Sequence, residues 1–170
     1  MFVPEKIFIG VGTNLGDRLE NLHRCYELIE NREHVFIDQL SPVYQSPPWG
    51  FEALQDFYNT VISVRTTLEP LELLAELKKI ELEMGRIRKS ESGYESRIID
   101  LDILDYRGFI LTDETLVLPH PKMHLRSFVL LPLADISPDW IHPDSNKHIK
   151  EIIRTLNPTE IKALRVAVND

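Results

Sequence analysis

Apolar and polar positions divide the chain into stretches of two periods. Residues 6–11 (KIFIGV) are apolar on both faces, the pattern of a central strand. A turn, Gly12-Thr13-Asn14-Leu15-Gly16, leads to Asp17, placed as an N-cap with Glu20 in capping-box position. Leu19, Leu22, Tyr26 and Ile29 then recur at helical spacing to about residue 31. Residues 35–45 read as extended, with Pro42 marking an edge, bulge or break. In residues 57–66, Phe57, Asn59, Val61 and Ser63 share one strand face, and Tyr58, Thr60, Ile62 and Val64 the other. A helix is predicted over 68–84, with Pro70 in its first turn and Leu71, Leu74, Leu77, Ile80 and Met84 as its apolar face. Residues 98–104 are strand formers interrupted by Asp100 and Asp102. Beyond them the pattern predicts a hairpin turn over 105–108 with 109–111 pairing back, a helix over 123–135 ended or kinked by Pro132, and a last amphipathic helix over 147–156.

Composition narrows the class. The 170 residues are 43% hydrophobic, enough for one compact domain. No apolar run reaches membrane-spanning length, and the first residues lack the pattern of a signal peptide. With Cys25 as the single cysteine there is no disulfide framework, and a cytoplasmic location is the expectation. The net charge of −8 disfavours a nucleic-acid partner. Against it, Arg86, Arg88, Lys89 and Arg97 gather in one segment, which fits a small anionic ligand better than a long polyanion.

Candidate chemistry centres on residues 83–104. On a strand Asp100 and Asp102 point to one face, about 6.7 Å apart. Two ionised carboxylates at that distance repel by about 2.5 kcal/mol at an effective dielectric of about 20. Divalent cations would offset this, and Mg²⁺ takes one or two carboxylates plus substrate phosphates; ion pairing with nearby arginines on a solvated edge strand is the other solution. Guanidinium forks suit phosphate oxygens. In Ser46-Pro47-Pro48-Trp49-Gly50-Phe51 the two prolines stiffen a backbone whose free amides and carbonyls either read a flat heterocycle or form an ordinary turn. Asn59 and Phe57 offer an amide for a ring edge and an aromatic face for stacking. The glycine-bearing turn at 12–16 matches no nucleotide fingerprint and reads as structural. The loop at 86–97, with Gly93 and Tyr94, reads as a mobile lid or a plain surface loop. His120, stiffened by two prolines, and His124 are each read first as structural.

Taken in order, Gly12-Thr13-Asn14-Leu15, Ser46-Pro47-Pro48-Trp49-Gly50, Phe57-Tyr58-Asn59, Gly85-Arg86-Ile87-Arg88, Arg97-Ile98-Ile99-Asp100-Leu101-Asp102, Pro119-His120 and Arg126-Ser127-Phe128 make a specific set. In these the chain resembles the 6-hydroxymethyl-7,8-dihydropterin pyrophosphokinases of folate biosynthesis. The resemblance implies a single α/β (α+β) domain, ferredoxin-like, with a mainly antiparallel sheet packed by helices, over residues 1–156, leaving 157–170 as a peripheral C-terminal tail. It implies transfer of diphosphate from ATP to a pterin hydroxymethyl group, with two Mg²⁺ ions on Asp100 and Asp102. Arg88 and Arg97 would join these aspartates in catalysis. Phe57 and Phe128 would clamp the pterin, while Ser46, Pro48, Trp49 and Asn59 would read its edge. Glu81, Arg86, Arg88, Arg97, His120 and Arg126 would contact ATP. The implied partners are these two small molecules, with no nucleic acid, no membrane and a monomeric chain. Ser46 and Phe57 stand where threonine and tyrosine are common, Lys78 where some members have glutamine, and the loop lacks a tryptophan that Tyr94 would replace. The rival readings are a non-enzymatic ferredoxin-like binding module and a nucleotidyltransferase using the same aspartates.

Overall fold

The computed structural model describes residues 6–86, 96–158 and 163–166. The first strand, β1 (Ile7–Thr13), is followed by helix α1 (Arg18–Glu30), strands β2 (Val35–Leu40), β3 (Tyr44–Ser46) and β4 (Phe57–Thr66), helix α2 (Pro70–Glu83) and strand β5 (Asp100–Tyr106). A small ribbon, β6 (Leu111–Thr112) with β7 (Val117–Leu118), precedes a 3₁₀ turn at Met123–Leu125 and the helices α3 (Ser127–Ile136) and α4 (Ile149–Thr155). A last strand, β8 (Leu164–Arg165), pairs with β3, so the tail returns to the sheet. The main sheet runs β5-β1-β4-β3-β8, with β2 also on β4, and every pairing is antiparallel. Strands β5-β1-β4-β2 joined by α1 and α2 make the ferredoxin-like βαββαβ arrangement.

Two cores lie on opposite faces of this sheet. Ile7, Ile9 and Val11 turn to one face, packed with Leu22 and Ile29 of α1 and Leu73, Leu77 and Ile80 of α2. Phe8, Val61 and Leu104 turn to the other, under Leu130 and Leu133 of α3, Trp140, and Ile149 and Ile152 of α4. Asp17 caps α1 by accepting the Glu20 N–H at 3.1 Å, as its position predicts. Pro42 separates β2 from β3, where Ser41 keeps β4 bonded through its own N–H to Val61 and by accepting the Val61 N–H on Oγ.

Several elements depart from the sequence pattern. The buried face of α2 is Leu73, Leu77 and Ile80, whereas Leu71 is exposed. Residues 109–111 do not pair back on β5; that strand continues to Tyr106, and Leu111 pairs with Leu118 instead. The chain does turn at Arg107 and Gly108, where the Phe109 N–H donates to Tyr106 O at 2.9 Å, while Asp105 is buried as part of the strand. It accepts the Trp140 indole N–H and the Gly108 N–H, each at 2.8 Å, and burial raises its carboxyl pKa. Pro132 sits inside α3 without ending it, and that helix starts only at Ser127.

Trp140→Phe leaves the buried Asp105 oxygen without its donor. An unsatisfied buried acceptor costs about 1–3 kcal/mol. Urea unfolding is expected to show a loss of that size with an unchanged m-value.

Candidate functional site

The site is laid out by strand register. Gly12 stands between Asn59 on β4 and Asp100 on β5; Gly10 stands between Val61 and Asp102. On this face β1 thus runs from the covered Phe8 to two residues without side chains. Helix α3 covers the Phe8 end, and the glycines leave a cleft of about 380 Å³ at the other. A Cβ on Gly12 would lie 3.0 Å from Asn59 Oδ1, so this position takes no side chain without moving the amide.

One end of the cleft is aromatic and amide-bearing. Asn59 donates to Ser46 Oγ at 2.8 Å, tying β4 to the start of the proline segment. Phe57 meets Phe51 edge-on at 6.1 Å. Phe128, at the start of α3, lines the same space with Trp49 and Arg126. The other end is charged. Arg97, Asp100, Asp102 and His120 line it, and Lys122 and Arg126 join the wall.

Around Asp100 a clasp holds the charged end. Arg86 donates to both Glu81 and Asp100 Oδ1, the latter at 2.9 Å, and Arg97 reaches the same oxygen at 3.1 Å. Glu81 also accepts the Leu101 N–H at 2.8 Å, so the end of α2 is tied directly to β5. Arginine pairing is therefore how this structure offsets the Asp100 charge. Asn14 fastens the next segment: its Oδ1 accepts the Arg97 N–H at 2.8 Å and its Nδ2 donates to Ser96 at 3.0 Å. Gly12 and Thr13 belong to β1, and Asn14 in the turn after them seats Arg97.

Of the residues expected from sequence, the structure brings together Ser46, Trp49, Phe57, Asn59, Arg97, Asp100, Asp102, His120, Arg126 and Phe128 in one cleft. Glu81 and Arg86 stand behind Asp100, as the clasp. Pro48 lines a neighbouring cavity of about 390 Å³ beyond Trp49 and Phe128. Arg88, Lys89, Gly93 and Tyr94, and with them the lid expectation, lie outside the described residues. Sequence reasoning missed Gly10, Phe51 and Lys122 as cleft residues. Strand periodicity held the signal for Gly10, since it shares a face with Phe8 and Gly12.

His120 is fixed by its N–H, which donates to Leu104 O at 2.8 Å, and by its Nδ1, which accepts the Lys122 N–H at 3.1 Å. Burial first, then the nearby Arg126 charge, lower its pKa to about 4. The ring is neutral at pH 7, with its hydrogen on Nε2.

A cleft lined by paired carboxylates, arginines and aromatic rings on a ferredoxin-like sheet is that of a small-molecule enzyme handling a phosphorylated ligand. Comparison with known proteins makes the class specific. The family model described as 7,8-dihydro-6-hydroxymethylpterin-pyrophosphokinase (HPPK) matches residues 8–138, and the chain belongs to that family. The 2-amino-4-hydroxy-6-hydroxymethyldihydropteridine pyrophosphokinase of Aquifex aeolicus is 39% identical over 145 residues, 85% of this chain and 88% of that protein. The enzyme of the same name from Porphyromonas gingivalis is 39% identical over 141 residues, covering 82% and 95%. In fold, the chain is similar to Plasmodium falciparum HPPK-DHPS crystallised with SDX-DHP, with a TM-score of 0.72 at 18% identity. That match covers 96% of this chain and 47% of the other, so the chain spans about half the length of that structural relative. Among the described residues no helix is long and apolar enough to cross a membrane.

The His120 pKa carries a sign for stability. In the unfolded chain a histidine titrates near about 6.5. Between that pH and about 4 the unfolded state binds a proton that the native state does not. Stability is then complete above the upper value and falls as pH drops through this window. An NMR titration of the His120 ring is expected to show a midpoint near 4. A midpoint at the ordinary value would mean that the ring is not enclosed as described.

Proposed function

We propose that this chain transfers the terminal diphosphate of ATP to the hydroxymethyl group of 6-hydroxymethyl-7,8-dihydropterin, releasing AMP and the pterin diphosphate, as a step of folate biosynthesis. One observation carries the reading: a single cleft joins an aromatic, amide-lined end to an arginine- and carboxylate-lined end across two glycines of β1. In this reading Phe57 and Phe128 stack on the two faces of the pterin. Ser46, Trp49 and Asn59 read its edge, with Pro48 stiffening the segment. The substrate hydroxymethyl group then points across β1 toward the aspartates.

Arg97, His120 and Arg126 bind the nucleotide from the cleft wall, and Arg88 joins them in this reading. Glu81 and Arg86 act from behind by holding Asp100. The donor set suits magnesium: two hard carboxylates on one strand face, opening into a cleft that admits phosphate oxygens, where a two-carboxylate Mg²⁺ site finds its remaining ligands. Asp100 and Asp102 would hold two Mg²⁺ ions. These would supply charge neutralisation on ATP and a lower pKa for the acceptor alcohol. In the reaction the alcohol oxygen bonds to the β-phosphorus while the bond from that phosphorus to the α,β-bridging oxygen breaks, and AMP leaves with the electron pair. Arg88 and Arg97 stabilise the charge moving onto the departing oxygen. The reading includes a monomer working in the cytoplasm.

Incubation with ATP, Mg²⁺ and the reduced pterin is expected to release AMP. Pyrophosphate release would mean nucleotidyl transfer, and no release would favour a binding module. Asp102→Ala is expected to abolish turnover with unchanged thermal melting; a retained rate with ordinary Mg²⁺ dependence would end the metal assignment. Gly12→Ala pushes on the Asn59 amide and is expected to weaken pterin binding roughly 3- to 10-fold, the worth of one hydrogen bond. Calorimetry with the pterin alone reads this.

A further inference from the structure

Arg126 differs from the other arginines near the cleft in what holds it. Arg86 and Arg97 rest on Asp100 Oδ1, so a carboxylate already answers part of their charge. Among the described residues Arg126 has no carboxylate partner. Its guanidinium carbon lies 4.7 Å from the Trp49 ring centroid and 5.7 Å from that of Phe128. Its Nε is buried and has no hydrogen-bond partner among the described residues. An aromatic face attracts a cation through its quadrupole and leaves the net charge in place. The same indole attracts a second cation, since Lys122 Nζ lies 5.7 Å from it.

Trp49 also stands at a boundary. It lines both the main cleft and the neighbouring cavity of about 390 Å³, as do Arg126 and Phe128. An arginine side chain carries roughly 2 kcal/mol of rotamer entropy. Next to an open cavity that freedom has room to be expressed, and the charge is then displaced from the site. The indole prevents this by giving the planar guanidinium a flat surface to lie on.

We propose that the Trp49 side chain is a positioning residue for Arg126: it holds the guanidinium at the wall of the main cleft, fully charged and directed at the nucleotide. The proposal rests on the reading that this cleft takes ATP. It ties the proline segment to both substrates. The backbone of the segment serves the pterin, and the Trp49 ring in addition braces the arginine beside it.

Calorimetry with a non-hydrolysable ATP analogue and Mg²⁺ tests this without turnover, so its outcome is separate from that of the AMP assay. Trp49→Leu is expected to weaken the analogue by about 3- to 30-fold, the span of a cation–π contact. Trp49→Phe keeps a ring and is expected to recover part of the loss. In an Arg126→Ala background Trp49→Leu is expected to add nothing, because the two residues act as one unit. Unchanged analogue affinity in Trp49→Leu, or additive losses in the double variant, would each overturn the proposal. Thermal melting at the wild-type temperature confirms that each variant is folded.

Discussion

The structure depends on the absence of side chains along most of one strand face. Gly10 and Gly12 follow Phe8 on the side of β1 that carries the cleft, while Ile7, Ile9 and Val11 are buried on the other. Glycine weakens a strand, because it has no side chain to pack and more entropy to lose. Here that weakness is offset from two directions. Strands β4 and β5 hydrogen-bond β1 along both edges, and the opposite face is packed against α1 and α2. At the two glycines stability is supplied by the strand edges and the opposite face, which leaves this stretch free to stay open. Any larger residue at these positions would fill the space that joins Asn59 to the aspartates.

The charge arrangement follows from this opening. A chain of net charge −8 places carboxylates and arginines together at one end of its cleft. Repulsion between neighbouring carboxylates is answered in two ways that work in succession. Arg86 and Arg97 hold Asp100 in the structure described here. In the proposed reading, the oxygens of a phosphorylated ligand would compete for those guanidinium groups and make the carboxylates available to cations. The clasp is also mechanical. Glu81 bonds both Arg86 and the backbone of β5, so the aspartates are positioned by a helix end rather than by a loop.

Legibility from sequence followed how local each determinant was. β1 and β4 were readable because alternation or a continuous apolar run is written in neighbouring residues, and the Asp100/Asp102 pair because period two puts both on one face. The buried face of α2 was misread: Leu71 and Leu73 are both apolar, and only the angle of the helix on the sheet decides that Leu73 goes in. The turn within 105–108 was readable because Asp and Gly usually make one, but not that Asp105 stays in the strand or that 109–111 do not pair back. The donor that keeps Asp105 inside is Trp140, 35 residues on, and nothing nearby announces it. The motif resemblance supplied most of the cleft residues, since each motif sits on a different element and the fold brings them together. It could not separate residues that line the cleft from Glu81 and Arg86 that brace it. Lys122 was passed over because an exposed lysine beside a proline carries no pattern of its own.

Strand β5 shows how one residue type takes three roles within six positions. Asp100 is clasped by guanidinium groups at the entrance of the strand. Asp102, two residues on and opposite Gly10, lines the cleft. Continued alternation would place Leu104 on that face and turn Asp105 toward the α1/α2 core. The register against β1 slips between Phe8 and Ile9, so Asp105 becomes the partner of Phe8. That irregularity lets Asp105 reach Trp140 in the second core, where a buried carboxylate has an indole and a backbone N–H as donors. The slip therefore marks the border between the two uses of this face of the sheet. On one side of it carboxylates line the cleft; on the other a carboxylate is enclosed to fasten the loop between α3 and α4. The helices that complete the fold are thereby anchored to the same strand that carries the aspartates of the cleft.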